Sequence, residues 1–590
     1  MTNRPLAAIA LAVALFAGCA GSPPAKHVPA SPVGVTEVDG VRRYGHGELR
    51  YVGGVPYVTL RGGRFEMGEQ YGALLATELA AAFDEALGIV PDIEAYLPPI
   101  LRFLVQPVLV RGTIRDMANR IPVEYLEELR GIAAGSGIPY DELLFAAGGM
   151  GTFEFGCTSI AVRRGSTPLL GRNLDWAPGW LGRMPVVIRF EPDGEQASLV
   201  ASMLAFPNVA LTGLNASGLS LSVDIVSYDR KKSNRPVPVY FELRRALEQD
   251  RAMADLEARF ADYLTDIGWL VTAVSAAERE TAIFELATDG VAVRRGAPDS
   301  YLYALNGFAD PAVKARHTPA TIPTNVDLDD RVQYQERYAA EDIVPGVDDM
   351  IRYLSDDEFN GYEGYVGFES RSHSGTIMTA VMDGAAGQLY LASEAGFAGW
   401  AAFNRFGLDG DAAPYRAARP IMDDPAFRKI LDINSYYFQD MYGGRAAELY
   451  ARLDLDDGIE AIEAQLLFQL AMGFPVDPAK AVRALEACRE RYPDYGSFPL
   501  MLARLALAAN DGKVARERAL EALESRILYL EQELAALEIL ADLASTPAER
   551  TDRIKYAERC LVILDRLGKT AVFTGPAKDL KEKMEKYARK

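Results

Sequence analysis

Two apolar runs joined by a short polar turn constrain this chain more than any other stretch. Phe155-Gly156-Cys157-Thr158-Ser159 leads into Ile160-Ala161-Val162, Arg163-Arg164-Gly165-Ser166-Thr167 reads as a turn, and Leu169-Leu170 begins a return that carries Gly171-Arg172-Asn173-Leu174-Asp175. Apolar runs bounded by turn residues predict an antiparallel hairpin, whose second strand lies beside its first. Arg172 and Asp175 are therefore expected to end near Cys157. A cation close to a thiol lowers its pKa and raises the thiolate fraction, while a carboxylate there can hold an ammonium or orient a base. Gly156 leaves the carbonyl before Cys157 sterically open. Taken alone, Cys157 reads as an inert core residue ahead of a catalytic one, since unpaired cysteine is among the most buried residue types.

The 590-residue length is too great for one ordinary core and predicts two or three domains. Apolar content of 49% with 24% charged residues is that of a folded soluble protein. A formal charge of −20 argues against nucleic acid and against a polybasic grip on anionic lipid. Cysteines at 19, 157, 488 and 560 are too few and too scattered for a disulfide framework or a zinc site. The four histidines, His27, His46, His317 and His373, show no metalloprotease spacing, and no nucleophile elbow or phosphate-binding loop occurs. No metal or other cofactor is expected.

The chain opens as an address. Arg4 precedes an apolar run from Leu6 to Ala17, and Gly18-Cys19-Ala20 supplies small residues at a cleavage point. Leu15-Phe16-Ala17-Gly18-Cys19 resembles a bacterial lipobox, which implies acylation of Cys19 and anchoring to a membrane by its lipid; ordinary signal cleavage and an uncleaved anchor are the alternatives. Residues 20–40 are rich in Pro and Ser and read as an extended tether. The body is expected on the extracytoplasmic side of a bacterial envelope, periplasmic or at the cell surface.

From residue 41, short strands around Gly53-Gly54 precede helical spacing through Leu74, Leu75, Leu79 and Phe83. Tyr96-Leu97-Pro98-Pro99 to Val108-Leu109-Val110 is unusually apolar and reads as a buried helix pair or an acyl-binding lid. A helix from Ile121-Pro122-Val123 is expected to stop at Gly135-Ser136-Gly137. Val209-Ala210-Leu211, Leu219 to Val223, Leu270 to Val274, Thr281 to Leu286 and Gly290 to Val293 read as strands. A tight turn at Asn215-Ala216-Ser217-Gly218 joins the first two.

Gly156-Cys157-Thr158-Ser159 with Gly171-Arg172-Asn173-Leu174-Asp175 resembles the N-terminal-nucleophile hydrolases of the acyl-coenzyme A:6-aminopenicillanic acid acyltransferase group (peptidase family C45), relatives of the choloylglycine hydrolases and acid-ceramidase-type amidases. The resemblance runs from about residue 50 to about 405 and includes the Gly68-x-Gln70-x-Gly72 and Leu129-Arg130-Gly131-Ile132-Ala133 helices. It implies a four-layer αββα domain of the α+β class, self-cleavage between Gly156 and Cys157, and catalysis by the freed Cys157 with its α-amine as base. It also implies charge and orientation from Arg172 and Asp175, and oxyanion contacts from Asn215, for which a plain turn residue is the competing reading, and from Asn306, although Gly307 replaces the family's usual His. Arg337 is a weaker match to a family Arg that orders the site, and a solvated helix residue is the competing reading. The implied reaction is hydrolysis of a linear amide in a small acyl-amide substrate through an acyl-enzyme. Acyl transfer to an amine is the alternative, and a non-catalytic surface scaffold is the rival of another class.

Beyond Asp423 strand signals give way to Ala/Leu/Glu/Arg helices. Ala484-Leu485-Glu486-Ala487 recurs as Ala519-Leu520-Glu521-Ala522, close to the period of about 34 residues of tetratricopeptide repeats. Four parts are expected: a signal peptide at 1–19, a tether at 20–40, a hydrolase domain at 41–415 (divided at 156/157) and a helical, tetratricopeptide-like domain at 416–590. The last is a candidate surface for a protein partner.

Overall fold

Apolar runs between Thr36 and Arg416 become strands, and in the computed structural model of the chain they assemble into two facing sheets. The structure describes residues 34–88, 116, 118–149, 156–163, 167–176, 178–231, 234–317, 346–356, 371–442, 478–526, 528, 530–568 and 576–589. Cys19 with the leader, the apolar stretch at 96–110, and Arg337 lie outside the described residues. No described helix is long and apolar enough to cross a membrane.

The larger sheet has 11 strands among the described residues. It begins with β1 (Thr36–Val38), β2 (Val41–Tyr44), β3 (Gly47–Val52) and β4 (Val55–Gly62). It continues through β7 (Pro185–Pro192), β8 (Ser198–Met203), β9 (Thr212–Asn215), β10 (Leu219–Arg230), β11 (Ile267–Ser275), β12 (Glu280–Ala287) and β13 (Gly290–Arg295). β4 and β7 pair in parallel, with Val58 opposite Ile188, whereas the other neighbours in this sheet are antiparallel. The single parallel pair joins the segment before residue 156 to the segment after it.

The smaller sheet has, among the described residues, seven strands in the order β14 (Tyr301–Ala304), β5 (Gly156–Val162), β6 (Leu169–Asp175), β15 (Thr376–Asp383), β16 (Gln388–Ser393), β17 (Phe403–Gly407), β18 (Ala412–Arg416). Cys157, Ala161, Leu170 and Leu174 of this sheet share a core with Val223, Val271, Ala273 and Phe284 of the larger one. Its opposite face packs Ile160, Val162, Leu169 and Val381 against Met350, Ile351 and Leu354 of the helix Val347–Leu354. Period-two side-chain alternation thus gives β5 one face toward the partner sheet and one toward a helix.

Helices Arg64–Leu74 and Val123–Ser136 meet nearly backbone to backbone. A Cβ on Gly68 would lie 2.0 Å from the Glu128 carbonyl oxygen, and one on Gly131 would lie 2.1 Å from that of Phe65. Beside them, helix Val239–Gln249 adds a buried charge cluster. Arg244 donates to Glu248 at 2.6 Å and to Glu128 at 3.2 Å, Arg64 donates to Glu248 at 2.9 and 3.0 Å, and the Tyr125 hydroxyl donates to Glu248 at 2.9 Å. Four of these five side chains are almost wholly excluded from water, so their mutual pairing is what makes the burial tolerable.

The expected strand at Val209–Leu211 lies one step later, at β9. The carbonyl of Leu211 takes both the Val223 N–H, at 3.1 Å, and the Arg172 guanidinium, at 3.2 Å, which leaves it outside the regular ladder.

Past β18 the described elements are helical. Pro478–Arg491 packs on Ser497–Ala508, followed by Gly512–Glu524 with Leu530–Leu543 and Arg550–Gly568 with Pro576–Arg589. The repeated Ala-Leu-Glu-Ala segments occupy equivalent helices. Ala484, Ala519 and Ala522 are buried, while the two glutamates form a square of ion pairs. Arg489 holds Glu486 at 2.6 Å and Glu521 at 2.9 Å, and Arg518 holds Glu521 at 2.7 Å and Glu486 at 2.6 Å. Cys488 and Cys560 are buried core residues.

Candidate active site

The hairpin places the candidate residues by register. β5 and β6 pair antiparallel with Gly156 opposite Asp175, Cys157 opposite Leu174 and Ser159 opposite Arg172. Residues two apart share a face, so Cys157, Ser159 and Arg172 all point toward the larger sheet. Cys157 is fully buried, and Arg172 Nη2 donates to its Sγ at 3.1 Å. The remaining guanidinium contacts fix that nitrogen: Nη2 also reaches the Val223 carbonyl at 2.8 Å, and Nη1 reaches Thr212 Oγ1 at 2.6 Å.

Asp175 comes near Cys157 from the other face of the strand. It lies three positions beyond Arg172, an odd offset, so the two side chains leave opposite faces of β6. Asp175 instead sits at the strand end against Gly156, where a Cβ on Gly156 would lie 3.3 Å from that of Asp175. The carboxylate accepts the Thr376 hydroxyl at 2.7 Å, and His373 Nε2 approaches its other oxygen at 3.5 Å. His373 Nδ1 accepts the Gly375 N–H at 3.0 Å, so the ring proton of the neutral imidazole belongs on Nε2, facing Asp175. Asp175 therefore addresses the peptide bond before Cys157 more directly than the thiol.

Asn306 reaches the same peptide from the other side. Its Oδ1 accepts the Cys157 backbone N–H at 2.9 Å, and its Nδ2 donates to the Ile225 carbonyl at 3.0 Å. These two partners fix the orientation of the amide, because one must give a proton and the other must take one. In the intact chain the acceptor end of Asn306 thus faces residue 157, whereas an oxyanion contact needs the donor end. Asn306 has a φ of +62°, a left-handed conformation that Asn tolerates better than most residues.

Asn215 does not join them. Its Oδ1 accepts the Ser217 and Leu219 N–H groups at 3.1 and 3.0 Å, and its Nδ2 donates to the Asp250 carbonyl at 2.9 Å. Val223, whose carbonyl abuts Cys157, stands four residues beyond Leu219, about 13 Å along an extended strand. In this structure the side chain of Asn215 is engaged at the β9–β10 turn and by the Asp250 carbonyl.

Sequence reasoning missed two residues. Asp224 on β10 is fully buried and accepts the Ser159 hydroxyl at 3.0 Å, which in turn accepts from Ser222 at 3.0 Å. A lone acid within the apolar run Leu219 to Val226 was its only local signal. His373 sits in a polar segment before β15, and nothing in that segment points toward residue 175.

Burial pushes the Cys157 thiol far above its ordinary range; Arg172 draws it back, and the charges of Asp224 and Asp175 push it further up. In the intact chain the sulfur is therefore a protonated thiol poised beside a cation. Trp176 closes the neighbourhood, its ring stacked on Phe206 with centroids 5.0 Å apart and its backbone N–H donating to the Gly375 carbonyl at 2.7 Å. Among the described residues no group of His, Cys, Asp and Glu is arranged to hold a metal ion.

No family model matches the chain, and no curated protein matches it. Among solved structures, one that is similar is a Caenorhabditis elegans N-acylethanolamine-hydrolyzing acid amidase ortholog, at 15% identity and a TM-score of 0.29, with 39% of this chain and 93% of that one covered.

Proposed function

We propose that the chain is a self-cleaving cysteine N-terminal-nucleophile hydrolase acting on linear amides. The observation that carries this reading is the grip on residue 157 from both ends: Arg172 on its sulfur at 3.1 Å and Asn306 on its nitrogen at 2.9 Å, with Asp175 against Gly156. Such a convergence has no packing purpose, since it buries two charges and a reactive thiol in one place.

In the first reaction Cys157 Sγ adds to the Gly156 carbonyl carbon. The Gly156–Cys157 C–N bond breaks, the thiol proton passes to the departing nitrogen, and a thioester remains. Water then cleaves the thioester and leaves a Gly156 carboxylate, a free thiol and a new α-amine. Asn306 Oδ1 holds the departing N–H, and Asp175 with His373 fixes the charge beside the scissile carbonyl.

In the second reaction that amine, with an ordinary pKa of about 7.7–8.0, takes the thiol proton while sulfur attacks a substrate amide. It returns the proton to the leaving amine, and water releases the acid from the acyl-enzyme. In the cut molecule the Asn306 amide would have to exchange its contacts with residue 157 and the Ile225 carbonyl for its donor to reach an oxyanion, a contact worth about 3–4 kcal/mol in comparable sites. Hydrolysis is favoured over acyl transfer on compartment, because a cell envelope offers water and little acyl-coenzyme A. Attachment through lipid on Cys19, a site on the outer side of the cytoplasmic membrane, and a protein partner for the helical region belong to the same proposal.

Intact-mass measurement of the wild type beside Cys157→Ala tests the reading. Fragments 19–156, carrying the mass of acyl chains, and 157–590 are expected from the wild type, with a single uncut chain from the variant. An uncut wild type without amidase activity would overturn it.

A further inference from the structure

The backbone ladder does not determine where Asn306 lies. β14 pairs with β5 from Tyr301 opposite Val162 to Ala304 opposite Ser159, and the pairing stops there. Asn306 follows two residues later in a left-handed conformation, yet its amide is seated between Cys157 and Ile225 with two good hydrogen bonds. A non-glycine residue at such a φ persists only where its surroundings over-determine it.

Those surroundings come from the other sheet. Glu285 on β12 is fully buried. Its two carboxylate oxygens accept the Ala309 N–H at 3.0 and 3.1 Å and the Asp310 N–H at 3.1 and 3.0 Å. Arg294 on β13 pairs with that carboxylate through Nε and donates from Nη2 to the Tyr303 carbonyl at 3.2 Å. One ion pair thus grips the chain on both sides of the turn, before Asn306 at Tyr303 and after it at Ala309 and Asp310. Between those points Phe308 is buried, with its ring tip where a Cβ on Gly268 would lie 2.9 Å away. A charged carboxylate with no water around it needs every one of these donors, so the turn and the carboxylate hold each other in place.

We propose that Glu285, together with Arg294, is the positioning residue of the site: it holds the Asn306 turn so that the amide stays on the nitrogen of residue 157, and it thereby sets the rate at which the bond to that nitrogen breaks. The proposal rests on the self-cleavage reading only in its second half. Glu285 touches no reacting atom; it acts through Asn306.

Glu285→Gln keeps the shape but turns an amide NH2 toward backbone N–H donors. In the Cys157→Ala background, where cleavage cannot confuse the comparison, hydrogen exchange of residues 303–310 is expected to quicken by about tenfold or more, with β10 and β11 unchanged. In the Cys157 chain, pulse-chase cleavage is expected to slow by about 10- to 100-fold, and Glu285→Gln/Asn306→Ala is expected to cleave no more slowly than Asn306→Ala alone. A merely structural glutamate would instead slow cleavage additively. Additive rates, or unchanged exchange at 303–310, would overturn the proposal. Loss of protection throughout both sheets would make Glu285 a general fold residue and overturn it as well, unless Arg294→Met, which keeps the carboxylate, loosens residues 303–310 alone. A wild type that never cleaves while exchange rises locally would leave the clamp standing and sink the self-cleavage reading.

Discussion

The role proposed for Cys157 carries two opposed demands, since a nucleophile needs a thiolate and a core position disfavours one. In the intact chain burial wins, with Arg172 only partly offsetting it. The consequence for stability has a definite sign. An unfolded thiol loses its proton near pH 8.5, whereas the folded one keeps it well above that value. The folded state then binds more protons than the unfolded state as pH rises past about 8.5, and stability falls through that window. Asn306→Ala, expected to slow cleavage while retaining the thiol, should lose melting temperature between about pH 8 and pH 10 more steeply than Asn306→Ala/Cys157→Ala. Parallel pH slopes for the two would show that the thiol is not held protonated by the fold. Freed as an N-terminus, the same residue gains an amine as neighbour, and the thiol no longer depends on bulk solvent to lose its proton.

At the scale of strands and turns, what could be read from the sequence follows how far each residue lies from its partner along the chain. Cys157 and Arg172 share one hairpin, so turn chemistry alone brings them together. Asp224 meets Ser159 across 65 residues and Thr376 meets Asp175 across 201, and no local pattern states which strands of two facing sheets will oppose each other. Strand parity explains a subtler difference: residues 172 and 175 can both be near Cys157, but not from the same face. Asn215 shows the reverse case, in which one local motif carries two readings, oxyanion donor and turn residue, and its hydrogen bonds in this structure are those of the turn reading. Its amide accepts two N–H groups of the β9–β10 turn and donates to the Asp250 carbonyl just past helix Val239–Gln249. Asn215→Ala should therefore cost about 1–3 kcal/mol of stability, read from denaturant midpoints, and leave the self-cleavage rate within about twofold. A loss of cleavage at full stability would return Asn215 to the site.

For the whole molecule, the decisive feature is how much of the fold crosses the 156/157 junction. Arg64, Tyr125 and Glu128 come from the early segment, Arg244 and Glu248 from the later one, and they converge in one cluster of which all but Arg64 are almost wholly excluded from solvent. Arg244→Met would leave two buried carboxylates with Arg64 as their remaining cation, at a cost of about 3–5 kcal/mol in melting experiments, whether or not the chain is cut. Arg244 and Arg64 hold Glu248 below the ordinary carboxylate range, so that part of the stability should fade as acid protonates it. Glu128, more loosely held and pushed up by burial, is the first of the two to take a proton. β4 and β7 add a further tie across the same junction, the one parallel pair in the larger sheet. Parallel neighbours need a long covalent crossover to find each other, and here the crossover runs through residue 156. A cut there turns assembly of this sheet from a first-order search within one chain into a second-order encounter between two. The mature molecule would then be kept folded by its barrier to falling apart, and its recovery after unfolding would depend on how concentrated it is.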